Sequence, residues 1–343
     1  MNQQHAATKS VQPFIFKTLD QLFSAPLDSI PYVVDGLLPS AGLSVLAGKA
    51  KCGKSTLTRQ LAVAVVQGQS FLGRSTTKGS VLLFAIEEKE SEIARHLLQL
   101  GARASDPIRV LCGAIQKNEA VPRLEAALQA EPDVQLVIID PLLRFLSVRD
   151  GNDYVQVNDQ MEKLLDLARR YDTHILTIHH LKKRLTEDPV DGALGSVAIS
   201  AGADTVLCLR ANAAGVRSIC TRQRYGTDMP ETQLVWDADL RKPSLGKRAD
   251  EIEADAAQRT RRNIDSAMLD FVEQTPGCTQ AEIFDSVTGN VPLKKEIFRE
   301  FVETGVFVQR GEGVKGKPFT YTVVTHNQTE SSNGSATAEA VSA

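Results

Sequence analysis

The 343 residues are 42% hydrophobic, 24% charged and only 5% aromatic, which describes a globular chain of about two domains and excludes disordered, collagen-like and disulfide-scaffold proteins. Thirty-nine basic against 42 acidic residues leave a net charge of −3, so the chain is no nucleic-acid coat, and any DNA contact has to come from local basic loops. Five scattered cysteines without a CxxC spacing and the lack of any ~20-residue apolar run predict free thiols, a cytoplasmic location and no membrane partner.

Residues 1–12 are polar and aperiodic, have no apolar signal-peptide core, and are expected to be disordered. Leu43–Ala47 reads as a strand, followed by a Gly/Lys loop and a helix from Lys54 to about Val66. Val81–Glu87 is a second strand, with an amphipathic helix after it carrying Ile93, Leu97, Leu98 and Leu100. Ile108–Cys112, Val134–Asp140 and His174–His180 are further buried strands, separated by helical patterns near Val121–Gln129 and Val155–Tyr171. Strands alternating with helices predict an α/β fold, a mostly parallel sheet with helices on both faces. Asp204–Ala211, Val216–Arg224 and Thr232–Leu240 follow one another with short turns, an antiparallel extension of that sheet.

Residues 242–262 are charged and poor in large apolar residues, and are expected to be a linker running into a helix. Ile264, Met268, Phe271 and Val272 then lie at helical spacing, Thr279–Glu282 is a capping-box pattern opening a second helix, and Pro292–Glu303 gives a third. Val306–Arg310 and Phe319–Val324 are two short strands around a Gly/Lys turn. Three helices and two strands are the winged-helix order, predicted over 263–324, with a disordered tail at 325–343.

Gly48-Lys49-Ala50-Lys51-Cys52-Gly53-Lys54-Ser55, with Thr56 next, matches G-x-x-x-x-G-K-[ST] in full. Glycines let backbone N–H groups converge on phosphate oxygens, and the helix starting there adds its positive end. Lys54 is expected to bridge the β- and γ-phosphates of ATP and Ser55 to hold Mg²⁺. Asp140 closes the apolar strand LVIID, as a second Mg²⁺ ligand requires. Because Pro141 follows it, no base stands next to that aspartate, and the candidate general base is Glu87 at the end of the second strand. Glu88 is the competing choice. Strand alternation allows only one of the two to face the site.

Together GxxxxGKS, a strand-terminal Glu87, LVIID140-Pro and the paired His179-His180 resemble the RecA-like ATPases. The closest likeness is to hexameric helicases of the RepA type, related to those of the DnaB type. The lead-in IPYVVDGLLPSAGLSVLAG and the segment DGALGSVAISAGADTVLCL also resemble that group, so the likeness covers roughly residues 14–240. It implies an ATPase domain over 13–241, a homo-oligomer, expected as a hexamer, and single-stranded DNA in a central channel. Glu87 resembles the water-activating glutamate, and His180 (or His179) the polar residue that senses the γ-phosphate. Arg222 and Arg224 of TRQRYG resemble the basic pair given to the neighbouring subunit's nucleotide, Arg224 being the arginine finger. The loops Ser147–Asn158 and Leu181–Gly195 correspond to the channel loops. Arg149 in the first, and Lys182, Lys183 and Arg184 in the second, are the cations that tracking a single strand calls for.

The chain departs from the DnaB type in carrying its extra module at the C-terminal side. On the third helix Lys294, Lys295 and Arg299, and on the wing Arg310, Lys315 and Lys317, are candidate contacts to duplex DNA. The same module equally suits protein docking. An ATP-gated DNA-binding regulator or loader that does not translocate is the alternative reading.

Overall fold

A computed structural model describes residues 16–24, 30–116, 119–146, 154–181, 199, 202–237 and 242–324. The chain divides into two units, Met1–Lys247 and Arg248–Ala343. The first opens with helix α1 (Leu19–Phe23) and the antiparallel pair β1 (Tyr32–Val34) and β2 (Leu38–Pro39). There follow β3 (Leu43–Gly48), α2 (Lys54–Gln67), β4 (Ser80–Ala85), α3 (Glu90–Gln99), β5 (Ile108–Cys112), α4 (Ala120–Ala130), β6 (Val134–Asp140), α5 (Leu142–Phe145), α6 (Tyr154–Arg170) and β7 (His174–His180). The unit ends with β8 (Thr205–Ala211), β9 (Arg217–Gln223), β10 (Thr232–Trp236) and β11 (Pro243–Arg248).

Nine strands form one sheet in the order β11-β10-β9-β8-β3-β7-β6-β4-β5. From β8 to β5 every pairing is parallel, whereas β9 runs antiparallel to β8 and β10 antiparallel to β9. Strand alternation sorts the core onto two faces. Leu46, Leu83, Ile138 and Ile178 share one apolar cluster with Leu57, Leu61 and Val65 of α2 and Ile93 and Leu97 of α3. Their strand neighbours Val45, Val137, Ile139 and Ile175 belong to the other, with Leu124 and Leu128 of α4 and Met161 and Leu164 of α6. Covering on both faces is why these strands read as unbroken apolar runs. It also leaves the C-terminal strand ends and the loops after them as the open edge where polar groups can gather.

The second unit contains α7 (Ala249–Gln274), α8 (Gln280–Ser286), α9 (Val291–Glu303) and the antiparallel pair β12 (Phe307–Arg310) and β13 (Thr320–Val323). Ile264, Met268, Val272, Ile283, Ile297, Phe298, Phe307 and Tyr321 make its core. Two expectations change here. Most of the segment expected as a linker at 242–262 is the strand β11 and the first half of α7. Ala, Glu, Gln and Arg are good helix formers, and the backbone N–H of Arg248 donates to Glu251 Oε2 at 3.0 Å to start the helix. Its apolar stripe begins only at Ile264, so no period was there to be read.

Lys294 is likewise no DNA contact. It is buried, and its Nζ donates to the carbonyls of Phe284 (2.7 Å) and Val287 (2.9 Å) at the C-terminus of α8. A cation there satisfies carbonyls that the helix leaves unpaired and meets the negative end of its dipole.

Candidate active site

The phosphate loop runs from the end of β3 into the first turn of α2. Gly48 has no room for a side chain, since a Cβ there would stand 2.5 Å from the carbonyl oxygen of Leu209 on β8. Gly53 caps α2 with φ +106°, a backbone geometry closed to most side chains. Lys49, Ala50, Lys51 and Thr56 are exposed on the loop and first turn, and Cys52 is turned inward. Lys54 is nearly fully buried, and its Nζ donates to the carbonyls of Gly48 (2.8 Å) and Lys49 (2.7 Å). The ammonium is thus folded back across the loop it serves. Burial lowers its pKa, opposed by the nearby Cys52 and Asp140.

At the adjoining strand ends, Ser55 Oγ donates to Asp140 Oδ2 at 2.7 Å. A hydroxyl and a carboxylate side by side are hard oxygen donors, of the kind that could supply the small protein share of a Mg²⁺ shell. Among the described residues no group of three or more His, Cys, Asp or Glu side chains is placed to hold a metal by itself, which such a shell does not need.

His180 ends β7 in the same neighbourhood. Burial lowers its pKa first and the Lys54 charge lowers it further, while Asp140 and Glu87 pull the other way. Lys54, Asp140 and Glu87 are thus all near enough to act on His180. The imidazole is held toward its neutral form, able to donate one hydrogen bond without adding charge.

The two glutamates separate on a fact that strand alternation could not supply. β4 stops at Ala85, and Ile86 N bonds to the Asp140 carbonyl at 3.0 Å, so Glu87 and Glu88 sit in a turn and not on the strand. Glu88 is ion-paired with Arg59 of α2, a guanidinium buried against His96 as well. Glu87 stays at the open edge, half-exposed, its carboxylate paired with Arg144 of α5 at 3.0 Å. Of the two, Glu87 has the freedom to meet a water. Arg59 and Arg144 carry no local motif and were not singled out from the sequence.

Arg222 and Arg224 lie elsewhere. In the β8–β9 register Arg222 is opposite Val206, whereas β3 meets β8 near the phosphate loop at Gly48 and Leu209. Arg222 pairs with Asp228 (3.2 Å), and Arg224 with Asp204 (3.5 Å), whose Oδ2 also accepts from the backbone of Leu43 at the start of β3. These arginines are at the opposite edge of the sheet from their own loop. The arginine that does reach it is Arg217, whose Nε donates to the Cys52 carbonyl at 2.9 Å. Nothing in its local sequence marks it, since strand pairing alone brings it there. Arg149, Lys182, Lys183 and Arg184 lie outside the described residues.

A family model described as an AAA domain matches residues 10–185, a span that takes in the phosphate loop, Glu87, Asp140 and His180 and ends before the three arginines of β9 and its turn. No curated protein matches the chain. No helix among the described residues is long and apolar enough to cross a membrane.

Proposed function

The chain belongs to the AAA-domain family and is a P-loop ATPase, and from that premise we propose that it is an oligomeric, Mg²⁺-dependent ATPase acting on DNA, a helicase or translocase of the RepA type. The observation that carries the reading is the meeting of Lys54, Ser55, Asp140, Glu87 and His180 at one edge of the sheet. Lys54 exchanges two backbone carbonyls for β- and γ-phosphate oxygens. Ser55 and Asp140 would hold the metal, which when bound would neutralise charge building on the phosphates. Glu87 orients the attacking water and accepts its proton, and the neutral imidazole of His180 faces the γ-phosphate.

What supports a shared site is the strand arithmetic. Arg222 and Arg224 are five and seven residues from Arg217, roughly 17 and 23 Å along β9 at ~3.3 Å per residue. That distance exceeds the reach of a side chain, so a finger role has to be exercised on a neighbouring subunit. The basic residues 149 and 182–184 are the proposed contacts to a single strand.

Mixing tests this directly. Lys54→Ala and Arg224→Ala proteins are each expected to be inactive, and a mixture to regain ATPase activity because some interfaces pair an intact loop with an intact finger. A wild-type kcat for Arg224→Ala sinks the finger assignment. Single-stranded DNA is expected to stimulate turnover.

The second reading, an ATP-gated regulator or loader, is favoured by the second unit if it is a winged helix. Glu296 and Glu300 are engaged by Arg261, and Glu312 by Lys317 (2.9 Å). Exposed Lys295, Arg299, Arg310 and Lys315 are then left as a cationic surface suited to duplex DNA. Tight duplex binding with ATPase indifferent to single strands would decide for it.

A further inference from the structure

β3 divides the phosphate loop's surroundings into two flanks. On one side lie β7, β6 and β4, whose ends carry His180, Asp140 and the turn with Glu87. The γ-phosphate, its metal and the attacking water belong there. On that reading the flank formed by β8 and β9 is the one open to the rest of the nucleotide.

Arg217 stands on that flank. It opens β9 opposite Ala211, after a turn fixed by Asn212, whose Oδ1 accepts from Val216 N at 2.9 Å. Its Nε bond to the Cys52 carbonyl lays the guanidinium over Gly53, with Nε 3.3 Å and Cζ 3.9 Å from where a Cβ would be. Any larger residue at position 53 would press on it. One donor of the fork is spent on the loop, and no other described group takes the two terminal amino groups. The side chain is exposed, so an anion can reach it. A planar fork with one edge anchored and the other open is arranged for a phosphate oxygen.

We propose that Arg217 is a nucleotide-binding residue acting within its own subunit, taking a phosphate oxygen on the nucleoside side of the loop. This rests on the phosphate loop's reading as an ATP site and adds a group to it. ATP and ADP share that portion, so Arg217 serves ground-state binding of both, in contrast to the kcat role of Arg224.

The experiment measures binding of fluorescent ATP and ADP analogues, with steady-state kinetics, for full-length wild type, Arg217→Ala, Arg217→Lys and Lys54→Ala. A lost charge-assisted hydrogen bond predicts roughly ten- to a hundredfold weaker binding of both nucleotides by Arg217→Ala. KM is expected to rise in step and kcat at saturation to hold within about twofold, as for uniform binding. Arg217→Lys recovers part of the affinity, because it keeps the charge and loses the fork. Unchanged affinity for both nucleotides would make Arg217 a structural clasp and overturn the proposal. So would a loss confined to ATP, which places the group at the γ-phosphate. Normal nucleotide binding by Lys54→Ala would put the failure in the phosphate-loop reading itself, and the proposal would fall with it.

Discussion

Exchanging Glu87 and Glu88 one at a time for glutamine should produce two opposite phenotypes, and the structure sets the size of each. The Arg59 side chain is 4% exposed and Glu88 31% exposed. Removing the carboxylate leaves a nearly buried guanidinium without its counter-ion, which costs about 3–5 kcal/mol in a dry site. Water reaches this pair from the Glu88 side, so about 2–3 kcal/mol is the expected loss. In a unit of this size that lowers Tm by roughly 4–12 °C. Glu87, by contrast, is 49% exposed and its partner Arg144 72% exposed. Such a pair is worth about 0–1 kcal/mol, so Glu87→Gln should melt almost as wild type. Its kcat should fall by ~10²–10⁴, the range for a lost general base. The assays are thermal unfolding and phosphate release under saturating ATP and Mg²⁺. A Glu88→Gln protein that melts normally but does not turn over, beside an active Glu87→Gln, would refute the assignment.

Three further outcomes follow from the same structure. His174 is fully buried on β7, its Nδ1–H donating to the Pro39 carbonyl at 2.7 Å, and burial lowers its pKa to about 4. The unfolded chain binds a proton there below about 6.5 and the folded chain does not, so stability is complete above that pH. About 3 kcal/mol is lost as pH falls from 6.5 to 4. In denaturant titrations the stability gap between wild type and His174→Gln should shrink across that window, and a constant gap would acquit His174. Chelation of Mg²⁺ should abolish turnover, and Asp140→Asn should raise the Mg²⁺ concentration giving half-maximal ATPase; an unaltered Mg²⁺ titration would remove Asp140 from the metal shell. Lys294→Met should destabilise the second unit by about 1–3 kcal/mol through the two carbonyls it strands, whereas Lys295→Ala should leave Tm alone and weaken any duplex-DNA affinity.

How far a residue could be read from the sequence tracks how local its determinants are. The phosphate loop is contiguous, and its glycines, lysine and serine are needed at fixed offsets by backbone geometry. Asp140 was nearly as plain, because a carboxylate closing a run of four apolar residues has to emerge at a strand end. The choice between Glu87 and Glu88 was open in the sequence because it turns on where β4 stops and on Arg59, 29 residues away, claiming Glu88. Lys294 looked like a surface cation since its own helix says nothing of the carbonyls of α8 beneath it. Arg217 was invisible for the same reason: its partner is 165 residues distant and set only by the β8–β9 register. Residues 242–262, expected as a linker running into a helix, misled in the other direction, their lack of an apolar stripe concealing how early that helix starts.

The register that hid Arg217 also joins the two arginine roles on one strand. β9 is seven residues long and hydrogen-bonded to β8 along its whole length, and β8 is paired in turn with the strand that ends in the phosphate loop. A strand so held moves as one piece. A nucleotide gripped by Arg217 at one end of β9 therefore bears, through about 23 Å of paired backbone, on the position of Arg224 just beyond the other. If Arg224 acts on a neighbour's nucleotide, occupancy in one subunit biases hydrolysis in the next, and the coupling is reciprocal. It follows that Arg217→Ala, mixed into a wild-type oligomer, should lower the apparent cooperativity of ATP hydrolysis at doses too small to lower total binding. An unchanged Hill coefficient across the mixing series would mean that β9 carries two independent arginines and no message between them.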